Sequence, residues 1–312
     1  MYDWFMSQPM PAAAEVVEIS DYRHPGGWMN SAHVRANQVC AQLERGAILL
    51  LPGIPYDFPQ ASIDFLLHHR AQDSRLHKNV SFRPGSDVMR GFGGESDDEQ
   101  RVHAILRDYS RAVTDFAGRL LAPYANRWML DYASFRPLEE AGRPLPLHKR
   151  NDLLHVDAFP SRPTRGGRIL RVFTNIHPQK SRVWLAGAPF EPLAERYAKA
   201  AGLETFARKG AGAGWRALLG LPGSKRSAYD SFMLHFHDWM KENSDLQNGL
   251  ERRRVEFPPN TTWLVYTDTV PHAVLSGQFA LEQTLIVPVE AMVLPEVAPL
   301  RVLERLSGRA MA

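Results

Sequence analysis

Apolar positions recur at two different periods along this chain, and the change of period divides it. In the first part the spacing is helical. Ser31 caps a predicted helix running to about Glu44, with Ala36, Val39, Cys40 and Leu43 on one face. The apolar run from Ala47 to Leu51, closed by Pro52 and Gly53, predicts a short buried strand. A second helix is expected from about Pro59 to Arg70. Asp97 and Asp98 then open a long amphipathic helix, to about Leu121, with Ile105, Val113, Phe116 and Leu120 along its apolar stripe. The residues up to Gly27 read as an arm laid on the domain, and 71–95 as a polar, glycine-rich loop.

From Trp128 onward the period shortens to that of strands. Strands are predicted over 128–135, 152–158, 168–176 and 181–185, with a turn at Gly166 and Gly167. From about Phe190 to Leu250 the spacing is helical again, including Tyr229 to Asn243. Strands resume over 254–257, 262–266, 272–275 and 279–287, and a last helix is expected over 298–306. Short strands on both sides of a helical insertion suggest an α+β chain with a mainly β core. The expected architecture is a double-stranded β-helix, that is a cupin-like jelly roll, with helices in front. It is read as one domain over 1–312. Residues 1–124 form the arm and supporting helices, 125–189 and 253–290 the β core, 190–252 the insertion and 291–312 a terminal helix. A dinucleotide-binding fold is set aside, because Gly91-Phe92-Gly93-Gly94 neither follows a clear strand nor opens a helix.

Composition narrows the chemistry. The 44% hydrophobic and 23% charged fractions are those of an ordinary soluble protein, and no apolar run is long enough to span a bilayer. With Cys40 as the single cysteine, a disulfide framework and a cysteine-rich zinc site are excluded, so any metal falls to histidines and carboxylates. The start of the chain lacks the basic and apolar regions of a secretory signal, and a cytoplasmic location is expected. Net charge is only +3, but nine Lys or Arg against two acids lie between Arg143 and Arg182. Further basic clusters occur at 206–227 and at Arg252-Arg253-Arg254. This suits an anionic ligand or membrane surface; nucleic acid is disfavoured, since no recognition signature accompanies the charge.

Within Leu153-Leu154-His155-Val156-Asp157-Ala158, His155 and Asp157 are two residues apart, so an extended backbone turns both to one face. A second imidazole would complete a two-His, one-carboxylate facial triad with open positions, as a non-haem Fe(II) oxygenase needs. His272 follows Thr267-Asp268-Thr269-Val270-Pro271 at a tight turn between strands and is the best third ligand; its alternative is a turn histidine bonded to backbone. His235 and His237 fall about 200° apart on a helix, which argues against joint ligation. A zinc hydrolase or isomerase, or a non-catalytic cupin-like binding protein, remains open on this pattern alone.

A 2-oxoacid co-substrate needs a cation for its far carboxylate, best an arginine. No Lys or Arg occurs from Ala273 to Pro288, so that charge comes from another strand. Arg171 is the first candidate, since it interrupts the apolar run Ile169-Leu170-Arg171-Val172-Phe173; the alternative is an internal salt bridge. Arg136 is the second, and Gln283 a further hydrogen-bond donor. Lys149, Arg150, Arg162, Arg165 and Arg168 are assigned to loops around a mouth, with His148 lining the cleft.

The stretch from Leu154 through Pro160-Ser161-Arg162-Pro163 to Ile176, together with Tyr266-Thr267-Asp268 and Val270-Pro271-His272-Ala273-Val274, resembles the bacterial Kdo hydroxylases. These are Fe(II)/2-oxoglutarate dioxygenases acting on 3-deoxy-D-manno-oct-2-ulosonic acid (Kdo) of the lipopolysaccharide inner core. The resemblance implies His155, Asp157 and His272 as iron ligands and Arg171 and Arg136 as holders of 2-oxoglutarate. It also implies O2 as oxidant and succinate and CO2 as products. The implied substrate is Kdo on lipid A, hydroxylated at C3 to D-glycero-D-talo-oct-2-ulosonic acid. A peripheral contact with the inner face of the cytoplasmic membrane would follow.

Overall fold

A computed structural model describes residues 12–23, 32–69, 79–92, 96–208 and 226–312. The expected cap at Ser31, the turn at Pro25-Gly26-Gly27 and the basic run through Lys209, Arg216 and Lys225 lie outside the described residues. Three helices come first: α1 (Ala32–Glu44), α2 (Gln60–His69) and α3 (Ser96–Leu120). On α1, Ala36, Val39, Cys40 and Leu43 are all buried, as their spacing requires. Asp97, Asp98 and Glu99 lie in the first turn of α3 and Arg119 in its last, each sign at the helix end that favours it.

One sheet has eight strands in the order β1-β2-β9-β6-β11-β5-β3-β4, and a second has three in the order β10-β7-β8. The strands are β1 (Val16–Glu18), β2 (Ile48–Leu51), β3 (Val80–Arg83), β4 (Val88–Arg90), β5 (Met129–Arg136), β6 (Arg168–Asn175) and β7 (Arg182–Ala186). After the insertion come β8 (Arg253–Phe257), β9 (Thr262–Tyr266), β10 (His272–Ser276) and β11 (Ala280–Val287). This is the expected jelly-roll α+β architecture. The helices α1 to α3 cover one face of the large sheet, where Leu106, Tyr109 and Val113 meet Leu170, Val172 and Leu281. On its other face Phe173, Trp263 and Val265 pack against Trp184, Val255 and Phe257 of the small sheet. The site opens between these two sheets.

Three strands went unpredicted. One is β1, inside the stretch read as an arm, which pairs with β2. The loop expected over 71–95 contains β3 and β4, and β3 pairs with β5 to extend the large sheet. Val80 and Phe82 point inward and Ser81 and Arg83 outward, a period-two pattern too short to stand out among polar neighbours. The insertion supplies α4 (Phe190–Tyr197), α5 (Ala228–Glu242) and α6 (Ser244–Gly249), and the chain ends in α7 (Pro299–Ser307). Ser227 caps α5 by accepting from the Asp230 N–H, and Asn243 caps α6 by accepting from Leu246 N–H. These helices share an apolar cluster with Leu154 and Val156, so the insertion packs directly on the motif stretch.

Candidate metal centre and anion pocket

His155 and His272 meet across one antiparallel bridge. His155 N–H donates to His272 O (3.2 Å) and His272 N–H to His155 O (2.9 Å), while Asp157 N–H donates to Thr267 O (2.8 Å). The strand expected over 152–158 is therefore reduced to a single bridge. The other edge of this stretch meets side chains of the insertion instead of a strand. The expected alternation nevertheless holds: His155 Nε2 is 3.8 Å from Asp157 Oδ1. One ligand atom from each of His155, Asp157 and His272 lies within 4.8 Å of the others, which is the geometry of three ligands around one ion.

The hydrogen bonds behind the imidazoles fix their tautomers. His155 Nδ1 lies 2.7 Å from Leu153 O, and His272 Nδ1 lies 2.9 Å from Val270 O. A carbonyl only accepts, so each Nδ1 carries the proton and each Nε2 presents a lone pair. Burial, and then the second imidazole, push His155 well below the ordinary histidine range; burial does the same for His272. Both are thus held neutral, the form that ligates. Burial alone would raise the Asp157 carboxyl, but the Arg171 guanidinium beside it holds it well below the usual range. His272 is a backbone-bonded turn histidine and a candidate ligand at once, through different nitrogens.

Beside the three candidate ligands lies a cavity of about 210 Å³ whose wall includes Arg136, Arg171, Arg182, Trp184, Asn79 and Asn151. Arg171 spans two carboxylates, with Nη2 3.0 Å from Asp157 Oδ2 and Nη1 2.5 Å from Glu282 Oε1. Arg136 Nε donates to Glu282 Oε2 at 2.7 Å. The internal ion pair weighed as the alternative for Arg171 is thus present, and it is built into the site. On these wall residues, Arg171 Nε, Arg182 Nε and Trp184 Nε1 are buried without hydrogen-bond partners.

Arg182 escaped the sequence reading. It opens β7 fully buried, donates to Gly277 O at 3.1 Å and stands 3.6 Å from Glu140. Burial, and next the neighbouring Arg136, lower it to about 10. The signal was available: Arg182 and Trp184 share one face of a short apolar strand, the same argument that singled out Arg171.

Gln283 lies elsewhere. It stands opposite Val172 in the ladder, so its side chain faces the helix layer, and Nε2 donates to Asp131 O and Thr284 O at 3.1 and 2.8 Å. Its neighbour Glu282 is the residue of β11 that reaches the arginines. Arg168 is likewise not at a mouth: it is fully buried, with Nε 3.0 Å from Asp268 Oδ2. Arg162 does lie in a loop, stacked over Tyr132 and Phe159 at 3.8 and 4.3 Å from their ring centres. His148 is exposed and paired with Glu242 at 2.6 Å. His235 stacks on Phe206, whereas His237 reaches the centre, its ring 4.9 Å from that of His155. The helix splits the pair as its geometry demands.

The family model for 3-deoxy-D-manno-oct-2-ulosonic acid (Kdo) hydroxylase matches residues 27–310. The chain belongs to the Kdo hydroxylase family. Solved structures of the Kdo hydroxylase KdoO, a non-haem Fe(II) α-ketoglutarate-dependent dioxygenase, are similar along nearly its whole length. The complex with α-ketoglutarate and Fe(III) is 30% identical with a TM-score of 0.77, covering 96% of this chain and 97% of the other. The cobalt(II) complex is 30% identical with a TM-score of 0.76, over 95% and 97%. The apo form is 31% identical with a TM-score of 0.76, over 97% of each chain. No curated protein sequence matches the chain. The resemblance, the fold class and the enzyme class read from the sequence are therefore met: this is a Kdo hydroxylase of the Fe(II)/2-oxoglutarate dioxygenase class. No helix among the described residues is long and apolar enough to cross a membrane.

Proposed function

We propose that the chain hydroxylates C3 of Kdo carried on lipid A, giving D-glycero-D-talo-oct-2-ulosonic acid, with His155, Asp157 and His272 as iron ligands. The observation that carries the ligand assignment is the convergence of two neutral imidazole Nε2 atoms and one ionised carboxylate beside an arginine-walled cavity. The chemistry supplied by the loaded centre is O2 activation coupled to decarboxylation of 2-oxoglutarate to succinate and CO2. The chain's own part is to bind and orient. Leu153 O and Val270 O lock the two rings, and Trp184 stacks on His272 with ring centres 5.0 Å apart. Arg171, Arg136 and Arg182 form the cationic wall for the dicarboxylate; the fork geometry of arginine suits bidentate carboxylate binding.

The lipid A context draws support from the substrate's chemistry, since sugar carboxylates and lipid phosphates match the basic residues between Arg143 and Arg182 that stay exposed, Lys149, Arg165 and Lys180. A peripheral stay at the inner face of the cytoplasmic membrane belongs to the same reading. The test is substrate-dependent succinate formation with Kdo-lipid A, read by mass spectrometry for one added oxygen on Kdo. H155A and D157A should abolish both signals, and activity surviving either change would overturn the ligand assignment. Free Kdo turning over as fast as the lipid-linked form would overturn the lipid A reading.

A further inference from the structure

The stretch that carries His155 and Asp157 has two hydrogen-bonding edges, as any extended segment does. One edge is satisfied by backbone: His155 pairs with His272 in both directions, and Asp157 N–H donates to Thr267 O. The residues between them turn their polar groups the other way, and no strand lies there. Instead, Leu154 N–H donates to Gln247 Oε1 at 3.0 Å and Gln247 Nε2 donates to Leu154 O at 2.8 Å. The Gln247 amide thereby makes the same two bonds a neighbouring strand would make. Two residues on, His237 Nδ1 lies 2.8 Å from Val156 O, and since a carbonyl only accepts, Nδ1–H is the donor. Gln247 Nε2 also donates to Met240 O, which ties α6 to the end of α5. Leu154 and Val156 are buried in the cluster built by Phe232, Phe236, Met240 and Leu246 of these helices.

We propose that His237 and Gln247, both on the helical insertion, are positioning residues of the metal centre: they replace the missing strand and hold His155 and Asp157 in ligating register. This rests on the reading of His155, Asp157 and His272 as the ligands. His155 is held at its Nδ1 by Leu153 O, at its own N–H and C=O by His272, and on either side through Leu154 and Val156 by the insertion. Removing the insertion's grip leaves the motif held along one edge only. Partners that orient ligands typically matter by ten- to a hundredfold in metal affinity. The insertion, on this view, is part of the metal site and not an appendage to the jelly roll.

The test is a Co(II) titration of the metal-free protein followed by its visible absorption, beside the melting temperature of the metal-free form. H237F keeps a ring but deletes the bond to Val156 O; Q247L keeps bulk but deletes both bonds to Leu154. Each should weaken Co(II) binding by about ten- to a hundredfold. H237N, whose amide N–H falls near the place of Nδ1–H, should recover most of the affinity. F232L loosens the same apolar cluster without touching the motif backbone, and should bind Co(II) as the parent does despite a lower melting temperature. Unchanged Co(II) affinity in H237F and Q247L overturns the proposal. So does an equal loss in F232L, which would make stability the cause. Should Q247L not fold, H237F carries the test alone. A parent protein that binds no Co(II) would instead overturn the ligand reading itself.

Discussion

The Arg171 guanidinium links Asp157 to Glu282, with its Nη2 3.0 Å from Asp157 Oδ2 and its Nη1 2.5 Å from Glu282 Oε1. One cation thus joins a proposed metal ligand to the carboxylate that also holds Arg136 of the cavity wall. Burial would otherwise raise both carboxyls; Arg171 leads the effects that lower Asp157, and Arg136 followed by Arg171 lowers Glu282. R171M should therefore fail twice. It leaves Asp157 without its nearest cation, and breaking a buried pair costs about 3–5 kcal/mol. Because Glu282 keeps Arg136, the loss should sit near the lower end, as read from urea unfolding of the metal-free protein. The KM for 2-oxoglutarate should also rise by at least about tenfold. A loss below about 1 kcal/mol would mean the pair behaves as a surface bridge and the account of the site is wrong.

Arg182 offers a cleaner test of the pocket, because it touches none of the three proposed ligands. Its Nε lacks a partner and burial lowers it to about 10, yet it stays charged at neutral pH. R182Q should weaken 2-oxoglutarate binding by about tenfold or more, measured by calorimetry with Co(II) in the metal site. In the parent, affinity should hold steady to about pH 9 and fall as Arg182 deprotonates near 10. Affinity that rises through that range would rule out a charged Arg182 as a clamp.

The candidate metal site was legible because its signal is periodic: two residues apart, His155 and Asp157 share a side whatever strand pairing surrounds them. Arg171 was legible as a charge in an apolar run. What escaped were features set by register and by long-range packing. The helix-facing side of Gln283 follows from its pairing with Val172, which local sequence does not encode. Arg168 looks like a loop residue beside Gly166 and Gly167, and only the fold brings Asp268, a hundred positions away, to its guanidinium. The reach of His237 to Val156 O depends on how α5 docks, so helix geometry could part it from His235 but not aim it. The strands β3 and β4 were missed because three or four residues hold too few periods to rise above their polar setting.

Arg168 and Asp268 make the strongest stability prediction outside the site. Both are buried almost completely, and the guanidinium also lies 4.2 Å from the centre of the Tyr266 ring. It donates to Thr269 Oγ1 as well. Burial opposes its charge, but Asp268 and then Tyr266 leave Arg168 above its ordinary value. D268A strands a buried cation and should cost about 3–5 kcal/mol, whereas replacing both residues with apolar side chains should cost much less. A double-mutant cycle with R168M checks this: near-additive losses would show that the two charges do not act as a pair.

Acid sensitivity of the metal-free protein follows from the three imidazoles at the centre. His155, His237 and His272 are all lowered, burial being the first cause for each. In the unfolded chain each takes up a proton as pH falls through about 6.5. In the native protein they resist that proton, so below about 6.5 the unfolded state binds more protons and stability falls with pH. Above about 6.5 the contribution is fully present and flat. Urea midpoints of metal-free protein should therefore change little around pH 7, below the value of about 8 at which Lys241 titrates, and drop between 6.5 and 5, before most carboxylates titrate. H272Q removes one of the three groups and should shallow that drop while leaving the profile around pH 7 level. A parent profile that is flat down to pH 5 would mean these histidines protonate freely in the folded state, against the neutral, lone-pair-presenting imidazoles on which the metal site depends.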